Sequence, residues 1–170
     1  MQRRFCLTLL ASGAALGVTS CGFELRKAPN FAFKTLFSPI AESSTLSTEL
    51  KRSLESNGNV RVISDVRQID QADAILDVLI DRREKTVVGL NASGQVREFQ
   101  LRIRFSFKLR TPGGKELIAP TEILQQRDIS FNESAVLAKE TEEGLLYREM
   151  QSDIVQQIMR RLAAVTPDKL

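Results

Sequence analysis

The chain has 170 residues, 42% apolar and 26% charged, a composition typical of one folded domain and unlike that of a disordered protein. It contains no histidine, no tryptophan and only two cysteines. These absences exclude serine triads, cysteine–histidine dyads and histidine-ligated zinc or haem, and so weaken enzymatic interpretations from the start.

The N-terminus has the pattern of a secretory signal peptide. Arg3 and Arg4 precede an uncharged, mostly apolar stretch from Phe5 to Val18, which is too short to span a bilayer as a helix. The segment Val18-Thr19-Ser20-Cys21-Gly22 then resembles the bacterial lipobox, in which the cysteine thiol receives a diacylglycerol group and the signal is cut before it. We therefore predict that Cys21 is the site of lipid attachment.

The residue after this cysteine predicts the destination. In bacterial lipoproteins an aspartate at that place typically retains the protein in the inner membrane, so Gly22 predicts a lipid anchor in the outer membrane, on its periplasmic side. Three acyl chains exceed the two signals that stable anchoring needs. Two alternatives stay open: a secreted protein cut near Ala15 or Ser20, and a cytosolic protein with an apolar first helix.

Processing changes both the thiol content and the charge of the mature chain. Cys6 leaves with the signal and Cys21 is acylated, so no disulfide framework is expected. Loss of the two signal arginines lowers the basic residues from 24 to 22 against 21 acidic ones, and the formal net charge falls from +3 to +1. Such a charge does not favour a nucleic-acid partner.

The first part of the mature chain predicts a strand, a helix and a second strand. We expect the strands over 31–40 and 60–64. Between them Leu46, Leu50 and Leu54 recur every four residues and form one apolar stripe on a short helix. Strand, helix and strand within about 30 residues indicate a parallel crossover.

The centre of the chain predicts a three-stranded antiparallel meander. Its first strand is expected over Ala74 to Glu84, with Ala74, Leu76, Val78 and Ile80 on one face and Asp77 and Asp81 on the other. Asn91-Ala92-Ser93-Gly94 and Pro112-Gly113-Gly114 are the predicted turns, and Pro120 places the third strand at an edge or a bulge. In the middle strand the apolar members of the alternating pattern are Phe99, Leu101, Ile103, Phe105, Phe107 and Leu109.

A long helix over 134–164 completes the predicted fold. Its apolar residues are spaced strictly by four: Leu146, Met150, Ile154, Ile158 and Leu162. The fold class is α+β, with two helices packed on one face of a mixed sheet of four to five strands. The expected organisation is a signal peptide over 1–20, a lipidated tether over 21–30, a single domain over 31–165 and a frayed tail over 166–170.

The polar face of the middle strand is a candidate docking surface for a partner. Its cations are Arg102, Arg104, Lys108 and Arg110. Either they form a solvated face, or they meet phosphates or acidic side chains of a partner. Lipopolysaccharide is the obvious anionic candidate at an outer-membrane address.

The acidic residues do not predict catalysis. One group lies on or near the first meander strand, and the other, Glu140, Glu142 and Glu143, is read as helix-start residues that interact with the dipole. Neither group has the spacing of an acid–base pair across a substrate. The turn Pro112-Gly113-Gly114-Lys115 lacks the spacing and hydroxyl of a P-loop. We predict no catalytic residue, no metal and no cofactor.

Three segments together carry a family resemblance. They are Cys21-Gly22-Phe23-Glu24-Leu25-Arg26, Leu137-Ala138-Lys139-Glu140, and Tyr147-Arg148-Glu149-Met150 with Arg160-Arg161-Leu162 ten residues further on. In this order and spacing the chain resembles the LPS-assembly lipoprotein LptE family over essentially its whole mature length. The resemblance implies a fold of two helices on a mixed sheet.

The resemblance also implies a function. Proteins of this family plug the LptD β-barrel, help it assemble and take part in delivering lipopolysaccharide to the outer leaflet. Their lipopolysaccharide contacts imply a role for Lys139 and, more weakly, for Arg97, because the central turn at 91–94 carries no base at its tip. The alternatives are a lipoprotein adaptor of another envelope machine without a lipopolysaccharide role, and a periplasmic hydrolase.

Overall fold

The computed structural model describes residues 29–39, 44–58 and 60–169. The predicted signal peptide, the lipidated Cys21 and most of the tether lie outside the described residues. The helices and strands are β1 (Thr35–Phe37), α1 (Thr45–Gly58), β2 (Arg61–Ile63), β3 (Ala74–Leu90), β4 (Val96–Arg110), β5 (Glu116–Ser130) and α2 (Val136–Ala163). Short 3-10 helices cover Val66–Gln71, Glu133–Ala135 and Pro167–Lys169, the last within the predicted frayed tail.

The five strands form one mixed sheet in the order β2-β1-β3-β4-β5. β1 is parallel to both β2 and β3, whereas β3, β4 and β5 form the antiparallel meander. The predicted α+β class, the parallel pairing of the first two strands and the edge position of the strand with Pro120 are confirmed. The first strand is shorter than the predicted 31–40, because Phe31 and Phe33 leave the ladder and pack into the core.

The core lies between the two helices and one face of the sheet. Three regularly spaced rows of apolar side chains meet there, each at most 2% exposed: Leu46, Leu50 and Leu54 of α1; Leu101, Ile103, Phe105, Phe107 and Leu109 of β4; and Met150, Ile154, Ile158 and Leu162 of α2. Burial of each such side chain contributes roughly 1.5–3 kcal/mol. The helical period of four and the strand period of two therefore define the buried faces as predicted.

The opposite face of the sheet, called here the open face, is covered at one end only. Phe37, Ile63, Ala72 and Ile75 form a second small apolar cluster there, and Ile69 of the first 3-10 helix packs against it. The chain between β2 and β3 thus covers the short parallel strands on this face. The sequence pattern did not predict this covering segment. Along the meander the open face carries mostly polar side chains.

A bulge in β3 changes the faces of the residues that follow it. Val78 pairs with Phe107 but Ile80 pairs with Ser106, so Leu79 is an extra residue in this strand. Because side chains alternate, one extra residue moves every later side chain to the other face. The prediction that Ile80 shares the face of Val78 is therefore wrong.

Both predicted hairpin turns are confirmed. The Asn91 N–H donates to the carbonyl of Gln95 at 2.9 Å, and the Thr111 N–H donates to the carbonyl of Lys115 at 2.8 Å. Gly94 and Gly114 have φ values of 80° and 89°, in the left-handed region that only glycine adopts without strain. The two turns lie at opposite ends of the meander.

Asp73 joins the entry of the chain to the sheet. Its Oδ2 accepts hydrogen bonds from the backbone N–H groups of Lys34 and Thr35 at 2.8 and 2.9 Å. Partial burial raises the pKa of this carboxyl, but the two N–H donors, the Thr35 hydroxyl and the charge of Lys34 together lower it below its usual value. The ionised carboxylate thus stabilises the start of β1.

We predict that D73A lowers the free energy of unfolding by about 1 kcal/mol, because two backbone donors lose a charged acceptor. Since the folded-state pKa is lowered, this stabilisation is present above the ordinary carboxyl pKa and is lost as pH falls through the lowered value. Urea unfolding of wild type and D73A at neutral and acidic pH measures the difference. D70A is the matched control, and an equal loss in both variants, or a pH-independent difference, would contradict the assignment.

Candidate functional site

The domain has two distinct ends. At the near end the chain enters β1 beside Asp73, and the turn at 111–115 joins β4 to β5. At the far end lie the turn at 91–95, the start of β4, the end of β5 and the start of α2. The 17 residues of β3 run from one end to the other, a length of about 55 Å at 3.3 Å per residue.

A small cleft opens at the far end between the sheet and the first turns of α2. It has a volume of about 60 Å³, and its lining combines aromatic and aliphatic side chains with two lysines and two glutamates: Lys85, Phe99, Ile129, Ser130, Phe131, Val136, Lys139, Glu140 and Glu143. The Phe99 and Phe131 rings meet edge to face, with centroids 5.3 Å apart. This far-end cleft is the candidate site.

The structure places the predicted Lys139 in this cleft. Its ammonium is 3.0 Å from the Ser130 hydroxyl and 2.8 Å from a carboxylate oxygen of Glu142, and its side chain is only 23% exposed. Arg97 lies at the same end, because its carbonyl accepts a hydrogen bond from the Phe131 N–H at 2.8 Å. The structure therefore brings Lys139 and Arg97 to one end of the domain.

Lys85 is a second cation of the cleft, which the sequence analysis did not identify. Its ammonium is 2.6 Å from a carboxylate oxygen of Glu143 and 4.3 Å from the centre of the Phe99 ring. The bulge at Leu79 turns Lys85 toward α2, where it pairs directly opposite Leu101 in the ladder. Without the bulge, the alternation places Lys85 on the open face, so the strand pattern gave no signal for it.

The glutamates of the second and third turns of α2 do not act as helix-start residues. The helix begins at Val136, and its first turn holds no acidic residue. Glu142 and Glu143 instead pair with the two lysines of the far-end cleft. The helix-dipole interpretation of these acids is therefore wrong, because the helix starts one turn earlier than that interpretation needs.

The predicted basic strand lies on the open face, where acids from both neighbouring strands pair with three of its four cations. Arg104 pairs with Glu122 of β5 at 3.0 Å. Lys108 and Arg110 pair with Asp77 of β3 at 3.6 and 2.7 Å. The remaining cation of the row, Arg102, donates to the Gln100 amide oxygen at 2.6 Å. The open face of the meander is thus a mixed ionic surface and not a purely basic one.

The hydrogen bond from Arg104 to Glu122, reinforced by the charge of that carboxylate, raises the pKa of the guanidinium above its usual value. Surface pairs of this kind contribute about 0–1 kcal/mol each. These ion pairs therefore affect the charge that the surface presents to a partner more than they affect the stability of the fold. The polar face of β4 alone is basic, whereas the assembled sheet presents positive and negative side chains next to each other.

A polar ladder links β3 to both helices on the covered face. The Arg83 guanidinium donates to the Thr45 hydroxyl and to the Gln151 amide oxygen, and Thr45 also donates to Gln151 at 2.8 Å. The Gln151 amide in turn donates to Glu49 at 2.6 Å. Ser44 donates to Asp81 at the start of α1. Buried Gln151, 6% exposed, is thereby satisfied.

Tyr147 closes this ladder toward the far-end cleft. Its hydroxyl donates to the Glu84 carbonyl at 2.9 Å, and the Arg83 guanidinium lies 5.4 Å from the ring centre. Burial, followed by the nearby charge of Glu143, raises the pKa of the Tyr147 hydroxyl, and Arg83 opposes this effect. The tyrosine therefore stays a neutral hydrogen-bond donor that fixes α2 over β3.

The described residues hold no cluster of three or more potential metal ligands. In the same part of the chain, no helix combines the length and the apolar character needed to cross a membrane.

Comparison with known proteins gives a family match. The family model LptE, described as lipopolysaccharide-assembly, matches residues 33–162. The LPS-assembly lipoprotein LptE of Yersinia pestis (strain Pestoides F) is 28% identical over 167 residues, which cover 96% of this chain and 78% of that protein. The protein of the same name from Yersinia pseudotuberculosis (strain YPIII) has the same identity and coverage.

Solved structures of lipoproteins have the same fold. The uncharacterized lipoprotein B of Nitrosomonas europaea is 32% identical with a TM-score of 0.71, covering 84% of this chain and 91% of that one. The rare lipoprotein B of Shewanella oneidensis is 27% identical with a TM-score of 0.62, covering 76% and 94%.

We predict that R83M lowers the free energy of unfolding by about 1 kcal/mol, because the exposed Arg83 is a charged donor to the amide oxygen of buried Gln151. R82M is the matched control. Arg82 is the preceding residue but lies on the open face, where a carboxylate oxygen of Glu84 is 4.0 Å away, so its loss should cost less than about 0.5 kcal/mol. Urea denaturation compares them, and equal effects would contradict the face assignment.

Proposed function

This chain belongs to the LptE family of lipopolysaccharide-assembly proteins, and from that premise we propose a specific role for it. The family match gives a lipopolysaccharide-assembly lipoprotein of the cell envelope. We infer that the chain is anchored by Cys21 in the outer membrane on its periplasmic side. There it plugs and helps assemble the LptD β-barrel, and it takes part in delivering lipopolysaccharide to the outer leaflet without catalysing a reaction.

The observation that carries the ligand part of this proposal is the position of Lys139. Its ammonium is held by Ser130 and Glu142 at the rim of a cleft with aromatic walls. An ammonium group is a compact cation that binds phosphate through charge-assisted hydrogen bonds. Lipopolysaccharide combines phosphates with acyl chains, and the far-end cleft offers a cation beside Phe99, Phe131 and Val136. Exposed Arg97 adds a further positive charge at this end.

The composition of the open face supports a place inside a barrel. The interior of an outer-membrane β-barrel is polar, and a plug must present polar groups to it on all sides. On the open face the cations of β4 already have acidic or amide partners within the domain. Because each of these cations already has a partner within the domain, such a surface can lie against a polar wall with less uncompensated charge buried between the two proteins.

The length of the domain also supports this arrangement. Cys21 and Pro29 are eight positions apart in the sequence, so this tether spans at most about 29 Å from the lipid to the first described residue. The far-end cleft begins at Lys85, 11 residues along β3 from Ala74 and so about 36 Å further, and the whole strand is about 55 Å long. A body of this length exceeds the roughly 30 Å hydrocarbon core of a bilayer. A near-end tether and a far-end cleft suit a plug that extends through the membrane within its partner.

We predict that K139E weakens binding of purified lipopolysaccharide at least several-fold at low salt, and less at high salt, because a phosphate contact becomes a repulsion. K115E is the control, since Lys115 is an exposed lysine of the near-end turn and the charge change is the same. R97E should weaken binding less than K139E. Unchanged affinity of K139E at several salt concentrations would remove Lys139 from the site, and a wild-type protein that does not bind would contradict the ligand assignment.

The partner assignment has its own test. Affinity purification of the native, acylated protein from detergent-solubilised membranes is expected to retain the LptD barrel in stable association. C21A prevents lipid attachment and should reduce the amount recovered with the membrane fraction. Recovery of a different envelope complex, with no LptD, would favour the adaptor alternative. Recovery of the protein alone and without acyl chains would contradict the proposal as a whole.

A further inference from the structure

The cations of the far-end cleft are internally neutralised in the structure. Lys85 and Lys139 each form a short ion pair, at 2.6 Å with Glu143 and at 2.8 Å with Glu142. Both glutamates lie side by side on α2, and Glu140 also lines the cleft. The cleft therefore has as many carboxylates close by as it needs to cancel its positive charge. An incoming phosphate meets repulsion as well as attraction.

These ion pairs are suited to exchange and not to permanent stabilisation. The exposed fractions are 37% for the Lys85 side chain, 23% for Glu143 and 49% for Glu142, so water reaches both pairs. Pairs at this level of exposure contribute about 0–1 kcal/mol. A phosphate with two negative charges competes with a single carboxylate for the same ammonium. Displacement of a glutamate by a phosphate therefore costs little.

The rest of the cleft favours an anion once the glutamates have moved. Ala135, the residue before α2, provides no side-chain cap, and the first turn of the helix carries no acidic residue. Val136, the first residue of this helix, lines the cleft. Lys85 is held over the Phe99 ring at 4.3 Å, which keeps its ammonium in the cleft even without Glu143.

We propose that Lys85 is a second phosphate-binding residue of this site, and that Glu142 and Glu143 are built-in competitors which the ligand must displace. The inference rests on the proposed function, since the ligand is a phosphate-bearing lipid. It adds Lys85 to the proposed binding site, and it adds a mechanism by which the two glutamates control binding and release. The site binds only ligands that present phosphate groups strong enough to exchange with both glutamates, and it releases them when the glutamates return.

The experiment measures binding of purified lipopolysaccharide at low salt in the presence of EDTA. E143Q is expected to strengthen binding about threefold to tenfold, and E142Q should act in the same direction. K85Q should weaken binding about threefold to tenfold, whereas K85R, which keeps the charge, should bind like wild type. E55Q on α1 at the near end is the matched control and should have no effect. Unchanged thermal unfolding confirms that each variant is folded.

The double variant K85Q/E143Q tests the pairing itself. If Glu143 acts by occupying Lys85, then E143Q gives a gain in the wild-type background and little gain when Lys85 is absent. An equal gain in both backgrounds would overturn the pairing. Lipopolysaccharide stripped of its phosphates should show no gain with E143Q, and inorganic pyrophosphate should compete with the intact ligand if phosphate alone is recognised.

The possible failures are separable from those of the proposed function. If wild type binds and K139E does not, but K85Q binds like wild type, the inference is wrong and the proposed function stands. If E143Q weakens binding in Mg²⁺ and not in EDTA, the glutamates are bridges through a divalent cation, which overturns their role as competitors. If wild-type protein binds no lipopolysaccharide, both the ligand assignment and this inference are overturned.

Discussion

The contact of α2 with the apolar face of β4 determines most of this structure. Met150, Ile154, Ile158 and Leu162 lie along one line of the helix, and the alternating residues of β4 offer a matching dry surface. Because only one face of the meander is predominantly apolar, both helices pack on the same side. The other face then faces outward, and its polar character follows from the same alternation. Orientation, layer order and the polar surface all depend on this one packing interface.

This interface also explains why the sequence predicted the fold so completely and the site so incompletely. Apolar residues that recur every two or every four positions can be recognised in the sequence itself, so α1, β4 and α2 were predicted with their buried faces. The bulge at Leu79 is not visible, because it depends on how β3 pairs with β4. Ile80 and Asp81, the two residues beyond the bulge whose faces were predicted, were therefore assigned to the wrong faces. Lys85 and Arg83 were missed for this reason, whereas Lys139 was identified from the family resemblance.

The charged residues also could not be interpreted fully from the sequence, because their partners lie on other strands and helices. The cations of β4 are a basic row in the sequence, yet Asp77 and Glu122 come beside them only when three strands assemble. In the same way, Glu142 and Glu143 are an acidic cluster in the sequence and become partners of two lysines in the fold. Cations that already have partners within the domain are thus the common property of the open face and the cleft. On the open face, such pairing is compatible with contact to a polar protein surface. In the cleft, it means that a phosphate can bind only by displacing a glutamate from its lysine.

The central claim is that the far end of the domain meets lipopolysaccharide. A photo-crosslinking amino acid placed at Leu137, which is 80% exposed beside the cleft, tests it in living cells. A second variant with the same photo-crosslinking amino acid at Lys115, in the near-end turn, is the control. Our account predicts that ultraviolet light links lipopolysaccharide to position 137 and not to position 115. Equal yields at both positions, or a lipopolysaccharide adduct at position 115 alone, would contradict it.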